Sequence, residues 1–181
     1  VYLPEGKMKS REGKIVDADD LTTAMLTLAE AEIRRRDPEA GLSDEEVKKR
    51  AEKIGVGAIK FYLLRVRPTQ SINFDPAESI ACDGFTGPYC QYAYARIGGI
   101  LEKQKNSQRK RQNPGFSFLG NSEEVQLLQK LIEYPQELKS AVADLNPSRI
   151  AVHIFNTAKA FNQFYNKHPV LKAEIEELID A

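Results

Sequence analysis

Helix-start signals recur at short intervals along this chain, and no other pattern in it restricts the fold as strongly. Ser43-Asp44-Glu45-Glu46 places a serine three residues ahead of a glutamate, so the hydroxyl accepts from one free amide while the carboxylate reaches back to another. Asp75-Pro76-Ala77-Glu78 repeats that spacing, and Gly87-Pro88 puts proline at a first helical position, where a missing N–H costs nothing. Asn121 or Ser122 offers a further cap, and Asn146-Pro147 pairs a cap with a first-turn proline. Between these signals apolar residues return every three or four positions. Leu21, Met25, Leu28 and Ile33 form one such face, and Val47, Ala51, Ile54, Ala58, Phe61, Tyr62 and Leu64 another. Val125, Leu127, Leu128, Leu131 and Ile132 form a third, and Ile150, Ile154, Phe155, Ala158, Phe161 and Tyr165 a fourth. Helix after helix with short capped turns predicts an all-α helical bundle. Only residues 1–16 lack the periodicity, and a short irregular, β-prone loop segment is expected there. Pro135 predicts a helix restart, with Leu138, Ala141, Val142 and Leu145 on the shorter piece. Gly55 and Gly57 inside a helix cost about 1 kcal/mol each against alanine, so they predict close passage of another backbone.

Charge narrows the partners. Twenty-six basic and 26 acidic residues cancel, so any nucleic-acid contact has to come from a local patch. Two cysteines, Cys82 and Cys90, make no disulfide framework and point to a reducing, cytoplasmic setting. No apolar run approaches the roughly 20 residues that span a bilayer, so no membrane partner is expected. His153 and His168 have no cysteine or carboxylate at ligand spacing, and no metal site is expected. The start at Val1 and the stop at Ala181 inside an apparent helix read as the ends of an excised piece.

Three stretches carry candidate chemistry. On the helix opened by Pro88, Tyr89, Tyr92, Ala93 and Arg96 fall on one face, with Gln91 beside it. Phenol rings can stack on bases and a guanidinium fork can hold a phosphate. The same stripe can equally serve as packed core, with Ala93 and Ile97 turned inward and Tyr92 and Arg96 at the edge. Phe161 to Asn166 sets a second group of aromatics and amides, Phe164 and Tyr165 among them, where it can meet the first. Lys103, Lys105, Arg109, Lys110 and Arg111 form a basic run suited to a phosphate backbone or to a solvated helix end. Near the start, Lys7, Met8, Lys9 and Ser10 sit in a basic loop hinged by Gly6 and Gly13, able to bring ammonium groups onto a polyphosphate.

Leu3-Pro4-Glu5-Gly6-Lys7-Met8-Lys9-Ser10-Arg11-Glu12-Gly13, followed by Val16-Asp17-Ala18-Asp19-Asp20-Leu21, resembles the KMSKS-type loop of class I aminoacyl-tRNA synthetases in its arginyl form. Thr86-Gly87-Pro88-Tyr89, Gln91-Tyr92, Ala95-Arg96, Ala158 to Asn162, Phe164-Tyr165 and Pro169-Val170-Leu171 resemble the helical anticodon-binding domain of the same family. The resemblance implies a piece of an arginine–tRNA ligase, with a loop segment over 1–20 and an anticodon-binding bundle over 21–181 that continues past Ala181. It implies Lys7 and Lys9 as catalytic, and Lys7, Met8 and Ser10 as contacts to ATP, with Mg2+ expected alongside. It implies Tyr89, Gln91, Tyr92, Arg96, Phe164 and Tyr165 as contacts to tRNA-Arg. Two departures stand out: Lys9 and Ser10 are interchanged relative to the signature, and Phe85 replaces an asparagine of the related loop. A nucleotide-binding Rossmann domain with its HIGH-like signature is expected ahead of Val1 as the partner that activates arginine, so the 181 residues alone are expected to be inactive and monomeric. The other reading is a free-standing helical module that binds RNA or protein without catalysis.

Overall fold

The computed structural model describes residues 2–3, 6–7, 17–36, 38–39, 41–106, 119–168 and 170, with backbone alone at 2–3, 6–7 and 106. Six α-helices account for almost all of it: α1 (Ala18–Arg36), α2 (Asp44–Leu64), α3 (Pro76–Ile80), α4 (Gly87–Asn106), α5 (Ser122–Ala143) and α6 (Ser148–Lys167). Ahead of them β1 (Tyr2–Leu3) pairs antiparallel with β2 (Gly6–Lys7), with Tyr2 opposite Lys7 and Leu3 opposite Gly6. The all-α bundle with its short β-prone opening is therefore what the sequence folds into.

The caps act where they were expected. Ser43 Oγ accepts from Glu46 N while Glu46 Oε2 accepts from Ser43 N at 3.1 Å, a reciprocal box that opens α2. Asp75 Oδ1 accepts from Glu78 N at 3.0 Å, but the Glu78 carboxylate turns away from its own helix start to Tyr62 and Arg65. Asn146 Oδ1 accepts from Ser148 N and Oγ at the head of α6. One expectation fails: Pro135 does not restart a helix, because α5 runs unbroken from Ser122 to Ala143 around it. Proline removes one amide donor and crowds the preceding turn, yet Pro135 lies on an exposed face, and α6 is tied to α5 on both sides of it, Lys167 to Glu123 and Arg149 to Glu137.

Two apolar clusters form. Met25, Ala29, Ala51, Ala58, Tyr62, Phe74 and Ile80 bring α1, α2 and α3 together. Ala93, Ala158 and Phe161, flanked by Tyr89, Ile100, Leu127, Phe164 and Tyr165, join α4, α5 and α6. A relay of rings connects them: Phe61 meets Phe85 edge-on at 5.3 Å, Phe85 meets Phe155 at 4.7 Å, and Phe155 meets Tyr89 at 5.1 Å. Phe85, the departure from the related loop, is thus a half-buried packing ring between Phe61 of α2 and Phe155 of α6. Arg65 holds it from the other side, donating to the Phe85 carbonyl at 2.7 Å while its guanidinium lies 3.6 Å from the Tyr62 ring centroid.

Both helix glycines of α2 mark close approaches, as expected. A Cβ on Gly55 would stand 3.1 Å from the Met25 carbonyl oxygen of α1, and one on Gly87 would stand 2.6 Å from the Gly57 carbonyl oxygen and 3.0 Å from Phe61 Cβ. The start of α4 therefore rests on the backbone of α2. Gly98 and Gly99, farther along α4, have open space around them. Gly87→Ala should destabilise the fold by roughly 1–3 kcal/mol, because backbone has to yield. Gly98→Ala should stabilise it by roughly 0.5–1 kcal/mol, through helix propensity alone. Denaturant unfolding of the two variants beside the parent checks both signs.

Candidate nucleic-acid interface

Where α4 crosses α6, one guanidinium is held from several directions. Arg96 donates to Asn162 Oδ1 at 2.9 Å and to Asn166 Oδ1 at 3.4 Å, and to the Tyr92 hydroxyl at 2.6 Å. Its carbon lies 4.6 Å from the centroid of the Tyr92 ring and 4.7 Å from that of Tyr165. Residues 92 and 96 are one helical turn apart on α4, and 162, 165 and 166 share a face of α6, so helical geometry alone creates the cluster. Tyr92 is 51% exposed while Asn162 is 8% exposed, so the cluster has a buried floor and an open aromatic rim. The outward part offers a flat ring next to a fixed positive charge, an arrangement suited to a stacked base and its phosphate.

The remaining candidates are drawn into the scaffold to different degrees. Tyr89 is half-buried against Phe155. Gln91 donates from Nε2 to the Lys53 carbonyl of α2 at 2.8 Å, in the space that Gly57 leaves free, and its Oε1 is buried with no partner among the described residues. Ala93 packs inward at 2% exposure, as expected, while Ile97 falls on the same side, lining a pocket with Leu131, Ala158 and Phe161, but stays 37% exposed because that pocket is not filled. Phe164 stacks on His168 at 5.3 Å, where Glu123 from the start of α5 receives both Lys167 and His168. Met8, Lys9 and Ser10 lie outside the described residues, as do Arg109, Lys110 and Arg111, and of Lys7 only the backbone is described, in β2. No group of histidine, cysteine and acidic side chains fit to hold a metal ion occurs among the described residues. None of the described helices is long and apolar enough to cross a membrane. Burial raises the Cys82 thiol and pushes that of Cys90 up to about 11, so both stay protonated at neutral pH and offer no nucleophile.

Residues 90–181, just over half of the chain, match the model of the DALR anticodon binding domain. The chain belongs to that family. The DALR span contains Tyr92, Arg96, Asn162, Tyr165 and Asn166, the whole Arg96 cluster. Over nearly its full length the chain is also similar to arginine–tRNA ligases. That of Treponema denticola is 38% identical over 98% of this chain and 30% of that protein. That of Phocaeicola vulgatus is 42% identical over the same shares. The arginyl-tRNA synthetase of Thermus thermophilus superposes with a TM-score of 0.84 at 26% identity, covering 99% of this chain and 29% of that one. That of Plasmodium falciparum shares the fold, with a TM-score of 0.74 at 18% identity over 91% of this chain and 29% of its own. The chain thus spans about 30% of the length of the curated relatives it matches. The sequence resemblance to the arginyl family holds.

The clasp that closes the DALR helices at their far end is ionic. Lys167 first, then local hydrogen bonds that include His168, hold the Glu123 carboxyl at about 2, well below the usual 4.5. A depressed carboxylate stabilises fully above its unfolded value and loses that contribution as pH falls through the folded one. Glu123→Gln should therefore lower the melting temperature most above about pH 5, and the gap to the parent should close toward pH 2. Thermal unfolding followed by circular dichroism across that range checks it.

Proposed function

We propose that this chain is the anticodon-arm-binding part of an arginine–tRNA ligase, receiving tRNA-Arg on the open rim of the α4–α6 crossing. The observation that carries the reading is the Arg96 cluster: a guanidinium between two tyrosine rings, anchored below by Asn162 and exposed above at Tyr92. A base stacked on Tyr92 would place its phosphate against a charge whose position is already fixed, so little side-chain freedom is lost on binding. Tyr165 and Phe164 extend the aromatic surface along α6, while Tyr89 and Gln91 hold α4 in place from within. Family membership of this same span and the names of the relatives support the choice of tRNA over other RNAs.

In that reading the segment around Lys7 serves the other half of the reaction. Lys7 and Lys9 would neutralise the ATP phosphates as charge develops on them, with Met8 and Ser10 shaping the loop around the nucleotide. Holding the adenylate and aligning the arginine carboxylate are tasks for a nucleotide-binding domain, which we assign to the portion of the relatives that this chain does not match. The setting for such a ligase is the cytoplasm.

Titration of tRNA-Arg against the chain at several salt concentrations tests the interface. Tyr92→Ala should weaken binding by about tenfold or more, since stacking on an aromatic contributes roughly 1–3 kcal/mol per base. Tyr92→Phe keeps the ring and should keep most of the affinity. Unchanged affinity in Tyr92→Ala, with the fold intact by circular dichroism, would contradict the assignment. Arg96→Ala is the poorer probe, because it also strands the buried Asn162.

A further inference from the structure

On the other side of α4 from the Arg96 cluster's floor, a groove of about 900 Å3 runs between α2 and α4. Its α2 wall carries Lys49, Arg50, Lys53 and Lys60, and only one carboxylate, Glu52, lines it with them. Lys49, Lys53 and Lys60 recur at helical spacing, so their ammonium groups follow one face of α2. None of the four forms a salt bridge among the described residues. Several cations elsewhere in the fold are paired instead. Arg34, Arg35, Arg36, Arg65, Arg149 and Lys167 each have a carboxylate within salt-bridge distance. The α4 wall is aromatic: Tyr92 and Tyr94 both line the groove, and Tyr94 is 80% exposed. Tyr92 therefore belongs to both surfaces, its ring lining the groove and also packed over Arg96.

We infer that the α2–α4 groove is a phosphate track: Lys49, Lys53 and Lys60 hold the sugar–phosphate backbone of the RNA strand whose base stacks on Tyr92. This rests on the reading of the Arg96 cluster as an RNA-binding rim and extends it to a second helix outside the span matched by the DALR model. Three things favour RNA as the occupant. The cations of α2 that line the groove outnumber its one carboxylate and lie along one face, which matches the regular negative charge of a backbone. The opposite wall offers ring faces that accept any base, the combination found in single-strand grooves. And Tyr92 makes the groove continuous with the rim, so a strand leaving the stacked position passes directly along the cations. Lysines suit this task because a mobile point charge follows a backbone without demanding one geometry.

Salt dependence separates this surface from the rim. Each neutralised phosphate contributes about 0.7–0.9 to the slope of log K against log salt concentration. The variant Lys49→Ala/Lys53→Ala/Lys60→Ala should bind tRNA-Arg more weakly, with its slope reduced by about 2–3. Lys130→Ala/Lys139→Ala on α5 should leave the slope where it is. All five side chains reach solvent, so the fold should survive, and matching circular dichroism spectra and melting curves show that it has. A triple variant with unchanged slope, or one weakened by the same factor at every salt concentration, overturns the inference while leaving the rim intact. Absence of tRNA binding by the parent chain instead overturns the reading of the rim, and this inference with it.

Discussion

The place where α4 begins on the backbone of α2 decides how everything else can be arranged. With Gly87 set almost on the Gly57 carbonyl, the two helix backbones approach more closely than any side chain would allow. That contact leaves room for two further ties. Gln91 reaches over Gly57 to the Lys53 carbonyl, and Phe85, just ahead of the crossing, inserts between Phe61 and Phe155. Since α2 packs on α1 and α3 while α4 packs on α6, and α6 on α5, the Gly87–Gly57 contact, the Gln91 tie and the Phe85 relay together join the halves of the bundle.

Arg96 shows how a side chain can serve both scaffold and surface. Its lower donors satisfy Asn162, a polar group that would be costly to bury alone. Its upper side lies against the ring of an exposed tyrosine. The same bonds that stabilise the α4–α6 joint thus preorganise the charge offered to a ligand.

Much of this was legible in the chain. Capping residues act locally, so Ser43, Asp75 and Asn146 mark helix starts whatever surrounds them, and the three- to four-residue period of apolar positions follows from helix geometry. Close helix passage at Gly55 and Gly57 could also be read, because a glycine in mid-helix is otherwise a net cost. What could not be read was which neighbour each side chain would find. Pro135 looks like a break in isolation, but contacts along α6 outweigh the one amide it lacks. Ile97 shares a helical face with Ala93, yet the core closes one turn earlier and leaves it half open. Gln91 stands beside the tyrosines in sequence and still turns to α2, a choice set by the gap at Gly57. The lysine line on α2 was visible as spacing but not as a feature, since only the structure places Tyr92 and Tyr94 opposite it.

On the proposed function, this bundle receives one arm of a tRNA at the α4–α6 rim. Competition between isolated RNA pieces for the chain distinguishes which arm it is. An anticodon stem-loop of tRNA-Arg should displace full-length tRNA-Arg at close to equal concentration, while a minihelix carrying only the acceptor arm should not. Equal displacement by the two pieces, or displacement by the minihelix alone, would show that the bundle does not select the anticodon arm.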